Sequence, residues 1–220
     1  MKISILFQND DFIAVDKPSG ISVHNNEDSQ NLLSLLASQL QLPNLLPVHR
    51  LDKETSGIQI LSFHKDSARD LANEFQQRSV KKIYLGVLRG QLKSPEGIWT
   101  RPLTDKAEGR KNPEGQTRDR IPCETRFKCL KLLPYFSFCE FDLLTGRQHQ
   151  IRKHCALINH AIVGDARYGD LRYNEKIAKT YKLSRMFLHC SRIEILDRRI
   201  ESPMPQDFSD LMQLVGSVQK

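Results

Sequence analysis

The chain has 220 residues, 39% of them hydrophobic and 27% charged, which suits one soluble globular domain and excludes a disordered or fibrous chain. A count of 33 basic against 26 acidic residues leaves a net charge of +7, with a sequence pI near 9.2, and turns attention to a polyanionic partner. Five cysteines (Cys123, Cys129, Cys139, Cys155 and Cys190), odd in number and without a Cys-x-x-Cys pair, exclude a disulfide framework and a zinc knuckle and fit reduced thiols in a cytoplasm. No apolar run is long enough to span a bilayer, and the chain reaches Gln8-Asn9-Asp10-Asp11 too soon for a signal peptide, so a cytoplasmic protein that makes no use of a membrane is expected.

In chain order, residues 3–7 and 12–16 read as two short strands joined by a polar turn. Lys17-Pro18-Ser19-Gly20 is a further turn. Residues 29–42 carry Leu32, Leu33, Leu35, Leu36 and Leu40 at helical spacing, with Asp28 or Ser29 available as N-cap. A loop over residues 42–47 then leads to His49-Arg50-Leu51-Asp52-Lys53-Glu54-Thr55-Ser56-Gly57, followed by an apolar, β-rich run to Ser62. That order puts His49, Arg50 and Asp52 on a turn at the mouth of a strand, where side chains can face a cleft. Asp52 stands among cations, Arg50 before it and Lys53 after. A carboxylate so placed stays ionised and can act as base, nucleophile or charge stabiliser; the plainer alternative is a solvated turn with a local ion pair.

Residues 66–78 space Ala68, Leu71, Ala72 and Phe75 as one face of a packing helix. Residues 79–90 alternate as a half-buried strand, with Tyr84 on the face opposite Ile83, Leu85 and Val87. Tyr84 is then either an amphipathic edge residue or an aromatic platform for an unstacked base. Residues 101–120 form a basic, Pro- and Gly-broken loop with Arg101, Lys106, Arg110, Lys111, Arg118 and Arg120, either solvated or a phosphate-contacting surface. Residues 122–132 and 136–144 read as a strand pair around Pro134-Tyr135. A second cluster, Thr145-Gly146-Arg147-Gln148-His149-Gln150-Ile151-Arg152-Lys153-His154, starts a helix near Arg147 and gathers cationic groups that suit an anion. Its two histidines, five apart, do not share a helix face as metal ligands would. A last strand covers residues 192–196. Strands joined by short turns with two or three helices predict an α+β fold with a largely antiparallel sheet.

Two stretches, His-Arg-Leu-Asp with Thr-Ser-Gly at residues 49–57 and Thr-Gly-Arg-x-His-Gln-x-Arg-x-His at residues 145–154, resemble the RluA-type pseudouridine synthases. Lys-Pro-x-Gly at residue 17 and a tyrosine after Lys-x at Tyr84 resemble the same family, which the chain matches over roughly residues 5–205. The resemblance implies a mixed, mostly antiparallel central sheet flanked by helices and loops, with the catalytic cleft across it. It also implies one catalytic domain over residues 1–220, with no S4-type domain ahead of Lys17, acting as a monomer. It implies isomerisation of uridine in RNA without cofactor or metal. By the same resemblance Asp52 is the catalytic carboxylate, Arg147 its partner and Tyr84 the stacking residue. Arg50 could fill the gap left by an extruded base, Leu188 packs under the uracil, and His49 and Arg152 complete the substrate-binding set.

Tyr168-Gly169-Asp170-Leu171-Arg172 and residues 185–189 look most like the branch called tRNA pseudouridine synthase C, which implies tRNA over rRNA and a uridine of the position 65 type. Ala161, Cys190 and Leu196-Asp197 depart from that branch where relatives have proline, alanine and His-Pro. Two other classes compete. A non-catalytic RNA-binding module would use the basic surface without needing Asp52, Tyr84 and Arg147 together. A hydrolase would need acid pairs such as Asp10 with Asp11 or Asp165 with Asp170.

Overall fold

In the computed structural model, which describes residues 1–24, 30–42 and 44–217, the chain runs through ten strands and five α-helices among the described residues. In order these are β1 Ser4–Gln8, β2 Phe12–Lys17, α1 Leu32–Leu40, β3 Leu46–Pro47, β4 Ser56–Ser62 and α2 Lys65–Gln76. Then come β5 Lys81–Arg89, β6 Glu96–Trp99, β7 Thr125–Leu132, β8 Phe136–Leu143, α3 Gln150–Leu157 and α4 Leu171–Tyr181. The chain closes with β9 Leu188–Ile195, β10 Arg198–Glu201 and α5 Gln206–Ser217. The α+β class and its mostly antiparallel sheet hold. No helix among the described residues is long and apolar enough to cross a membrane.

Two compact units result, the first Met1–Lys82 with Cys190–Pro203, the second Ile83–His189 with Met204–Lys220. The division passes through β5 and β9, not through a linker. In the first unit β2 lies between β1 and β4, antiparallel to both, and β3 adds to β4. Residues 192–195 of β9 pair with β10 through a two-residue turn, Leu196-Asp197, both at positive φ. The core here gathers Ile3, Ile13, Val15, Leu32, Leu36 and Leu61. In the second unit β5, β8, β7 and β6 follow one another, each antiparallel to its neighbour. Its core joins Val87, Phe136, Phe138, Phe187, Ile177 of α4 and Phe208 of α5.

Several expectations need correcting. The N-cap of α1 is Asn31, whose side chain accepts from the Ser34 N–H while Ser34 Oγ accepts from the Asn31 N–H, a reciprocal capping box; Asp28 and Ser29 lie outside the described residues. The strand with Tyr84 is covered on both faces: Lys82, Ile83, Tyr84, Val87 and Leu88 are all buried. The helix expected from Arg147 begins at Gln150, because His149 before it takes a left-handed conformation at φ 58°. Strand β6 and helices α4 and α5 have no counterpart in the sequence reading, so helices number five, not two or three.

Candidate active site

The first unit carries the Asp52 turn on the lead-in to β4. Leu51, Thr55 and Ser56 are buried, Asp52 is half-buried and Arg50 is exposed. The turn closes on itself through the Thr55 N–H, which donates to the Asp52 carbonyl at 3.1 Å. It is also stapled to Lys17-Pro18-Ser19-Gly20. The buried Lys17 ammonium donates to the carbonyls of Pro18, Ile21 and Lys53 at 2.9–3.1 Å. The Gly20 N–H donates to the Lys53 carbonyl at 2.8 Å, and Ser19 Oγ donates to that of Glu54. A buried ammonium shared among three carbonyls replaces its lost hydration and clamps two loops together. Lys17, read from sequence as part of a turn and of a family motif, thus fixes the backbone next to Asp52.

Gly57 ends the turn at φ +106°, and a Cβ there would lie 2.2 Å from the Cys190 carbonyl oxygen. Only glycine fits. His49 braces the strand that follows the turn. Its Nε2 accepts the Ile60 N–H at 3.0 Å, and its ring stacks on Phe75 with centroids 4.7 Å apart. Enclosure of the ring, with the Lys82 charge nearby, drives its pKa from 6.5 down to about 3, so the imidazole is neutral.

The second unit holds Tyr84, Leu188 and the Arg147 cluster. Tyr84 is buried and sits opposite Phe141 in the β5–β8 register. Leu188 is buried, and Gly86 of β5 leaves the space beside it; a Cβ on Gly86 would meet Leu188 Cδ1 at 3.4 Å and the Phe141 ring at 2.9 Å. The five cationic groups of the cluster do not form one anion site. Arg152 is buried and grips buried Asp165 bidentately, Nε to Oδ2 at 2.7 Å and Nη2 to Oδ1 at 2.9 Å. Lys153, fully buried, donates to the carbonyls of Thr104 and Lys106 at 2.8 Å. His154 lies between Thr125 Oγ1 and the Arg101 carbonyl, each at 3.0 Å, and burial lowers its pKa. His149 Nδ1 is 2.9 Å from the hydroxyl of buried Tyr168. Arg147 differs from the rest. It is half-buried and its Nε is covered with no hydrogen-bond partner among the described residues, while its backbone N–H donates to Gln150 Oε1 at 3.0 Å.

Two acids of the hydrolase reading, Asp165 and Asp170, are engaged too. Asp165 also accepts the N–H groups of Arg167 and Tyr168, and Asp170 caps α4 through the Tyr173 N–H and pairs with Arg110. No group of three or more potential metal ligands occurs among the described residues.

Residues 11–157 match the family model described as RNA pseudouridylate synthase. The chain belongs to the RNA pseudouridylate synthase family. Among curated relatives, an uncharacterised RNA pseudouridine synthase of Haemophilus influenzae is 34% identical over 88% of this family member and 82% of its own length. The ribosomal large subunit pseudouridine synthase C of Vibrio vulnificus is 32% identical over 91% of the chain, which spans 63% of that protein's length. The tRNA pseudouridine synthase C of Haemophilus ducreyi is 29% identical over 86% of this chain and 83% of its own. The solved structure titled Human RNA Pseudouridylate Synthase Domain Containing 4 shares the pseudouridylate synthase fold, with a TM-score of 0.81 at 23% identity over 97% of this chain and 93% of that one.

Proposed function

We propose that this chain isomerises uridine to pseudouridine in RNA and that Asp52 carries the reaction. The observation behind this is the Asp52 turn itself, a family motif held rigid from below by Lys17 and ended by a glycine that no other residue could replace. The reaction breaks the bond from uracil N1 to ribose C1′, turns the base, and joins C5 to C1′, so product and substrate hold the same atoms. The C5 proton leaves as N1 gains one, and no redox partner is needed for that balance.

Asp52 acts as nucleophile or as base. Arg147 is proposed, on the family motif at residues 145–154, to hold that carboxylate in place. Tyr84 stacks on the base and assists proton transfer at C5, Leu188 packs beneath the uracil, and exposed Arg50 enters the space the nucleotide vacates. Arg152 shapes the site through Asp165. A pure RNA-binding module would have no use for a carboxylate on a turn whose backbone is so firmly fastened.

The substrate is proposed to be tRNA, at a uridine of the position 65 type, on the strength of residues 168–172 and 185–189. Relatives named for the large ribosomal subunit match this chain at similar identity and define the competing substrate. Pseudouridine mapping in cellular RNA, with the protein present, deleted, or replaced by Asp52→Asn, tests both levels. The expected result is one tRNA site lost on deletion and not restored by Asp52→Asn. Loss confined to rRNA overturns the substrate, and restoration by the asparagine variant overturns the role of Asp52.

A further inference from the structure

The basic loop at residues 101–120 is the obvious surface for a polyanion, yet most of its charge is neutralised within the protein. Glu114 pairs with both Arg101 and Arg120, and the Arg101 hydrogen bond holds the Glu114 carboxyl below its usual pKa. Lys106 pairs with Asp119 at 3.2 Å. Arg110 pairs with Asp170 at 2.9 Å, and Arg167 donates to the carbonyls of Ala107 and Glu108. These contacts fasten the loop to the start of α4.

Helix α4 is the reverse case. It is seated by buried Ile177, by Tyr173 and Tyr181 packed on the core, and by Arg89, whose guanidinium lies 4.1 Å from the Tyr173 ring centroid. Its N-terminus is capped by Asp170. Arg172, Lys176 and Lys179 follow at intervals of four and three, so they share an arc of about 60° on the side away from Ile177. All three are exposed, and none makes an ion pair among the described residues. Over about 10 Å of helix they present three cations one turn apart, a spacing on the scale of successive phosphates along a nucleic-acid strand. A rigid helix also loses little entropy when its side chains take up phosphates.

We infer that the outer face of α4 docks the sugar-phosphate backbone of the substrate RNA, reading its charge and shape and not its sequence. This rests on the reading of the chain as an RNA-modifying enzyme and adds where the body of the RNA lies on the second unit. Backbone contacts of this kind position a substrate without contributing to base choice.

The test is a triple variant, Arg172→Gln, Lys176→Gln and Lys179→Gln, which keeps helix propensity and removes three charges. Its control is Arg126→Gln, Lys128→Gln and Lys131→Gln, which removes three exposed charges from β7. RNA affinity is titrated against salt for folded tRNA transcript, alongside single-turnover pseudouridine formation at saturating RNA. For the α4 variant the slope of log affinity on log salt should fall by about 2, and affinity at 0.1 M salt should fall roughly a hundredfold. Its turnover at saturation should match that of the unmodified protein. Equal losses in the two triple variants would mean a net-charge effect and overturn the docking face, as would an unchanged slope for the α4 variant. A circular-dichroism melt matching the parent excludes unfolding; a lowered melt is answered by a second variant with Arg172→Lys, Lys176→Gln and Lys179→Gln, whose slope must exceed that of the triple Gln variant by about 1 if docking is right. Absence of pseudouridine from every RNA, with the binding difference intact, would overturn the catalytic reading alone.

Discussion

The imidazole of His49 is kept neutral by enclosure against Phe75 and by the neighbouring Lys82 charge, and its Nε2 is needed as an acceptor for the Ile60 N–H. In the unfolded chain the same ring titrates at its ordinary value of 6.5, whereas in the folded chain it resists protonation down to about 3. The unfolded state therefore takes up the proton first. The contribution of His49 to stability is complete above pH 6.5 and is lost progressively as the pH falls from there towards 3. Urea unfolding at pH 7.5, 5.5 and 4.5 should show the parent losing more stability on acidification than His49→Gln, and parallel losses would refute the assignment. The two arginines of the second cluster separate at the same scale. Arg152→Ala leaves Asp165 as a buried, unpaired charge and should cost about 3–5 kcal/mol of stability. Arg147→Ala should leave the unfolding midpoint nearly unchanged while lowering single-turnover pseudouridine formation at least a hundredfold. An active, stable Arg147→Ala protein would remove Arg147 as the partner of Asp52.

Among elements, β4 shows how a backbone constraint sets a catalytic turn. Gly57 lies opposite Lys17 on β2 and against the Cys190 backbone on its other side, with a φ that side chains avoid. Gly57→Ala adds both left-handed strain and a clash with main chain, which cannot rotate aside. A loss of about 2–4 kcal/mol is expected, lowering Tm by roughly 5–15 °C; a Tm within 2 °C of the parent would show that the strand can part at little cost. Sequence patterns made β4 legible as an apolar, β-rich run and α2 by the helical spacing of Ala68, Leu71, Ala72 and Phe75. Helix α3 was placed too early because it has no apolar stripe to mark it. Gln150, Arg152, Lys153 and His154 are all buried, each satisfied by a partner that lies far off in the sequence. In α4 the inward face is Tyr173, Ile177 and Tyr181, two of the three with polar tips, so no clear apolar stripe marks the helix in the sequence.

For the whole molecule, the Asp52 motif and the α+β class were readable because each rests on contiguous residues. The sequence could not reveal which cations would be neutralised. Glu114, which pairs with Arg101 and Arg120, lies 13 residues from the first, and Arg110 finds Asp170 60 residues away. Charge counting alone points to the loop, while the pairing neutralises most of that loop and leaves three cations of α4 without ion pairs among the described residues. Nor could it show that the first unit is built from two distant stretches of chain.

That last arrangement bears on how the protein is made. Residues 1–82 leave the ribosome first, but the strand that Gly57 packs against belongs to residues 190–203. More than a hundred residues must be synthesised before the first unit can close, whereas most of the second unit is already present by residue 189. The catalytic turn is translated early and completed late, so a nascent chain stalled before β9 holds Asp52 in an unfinished sheet.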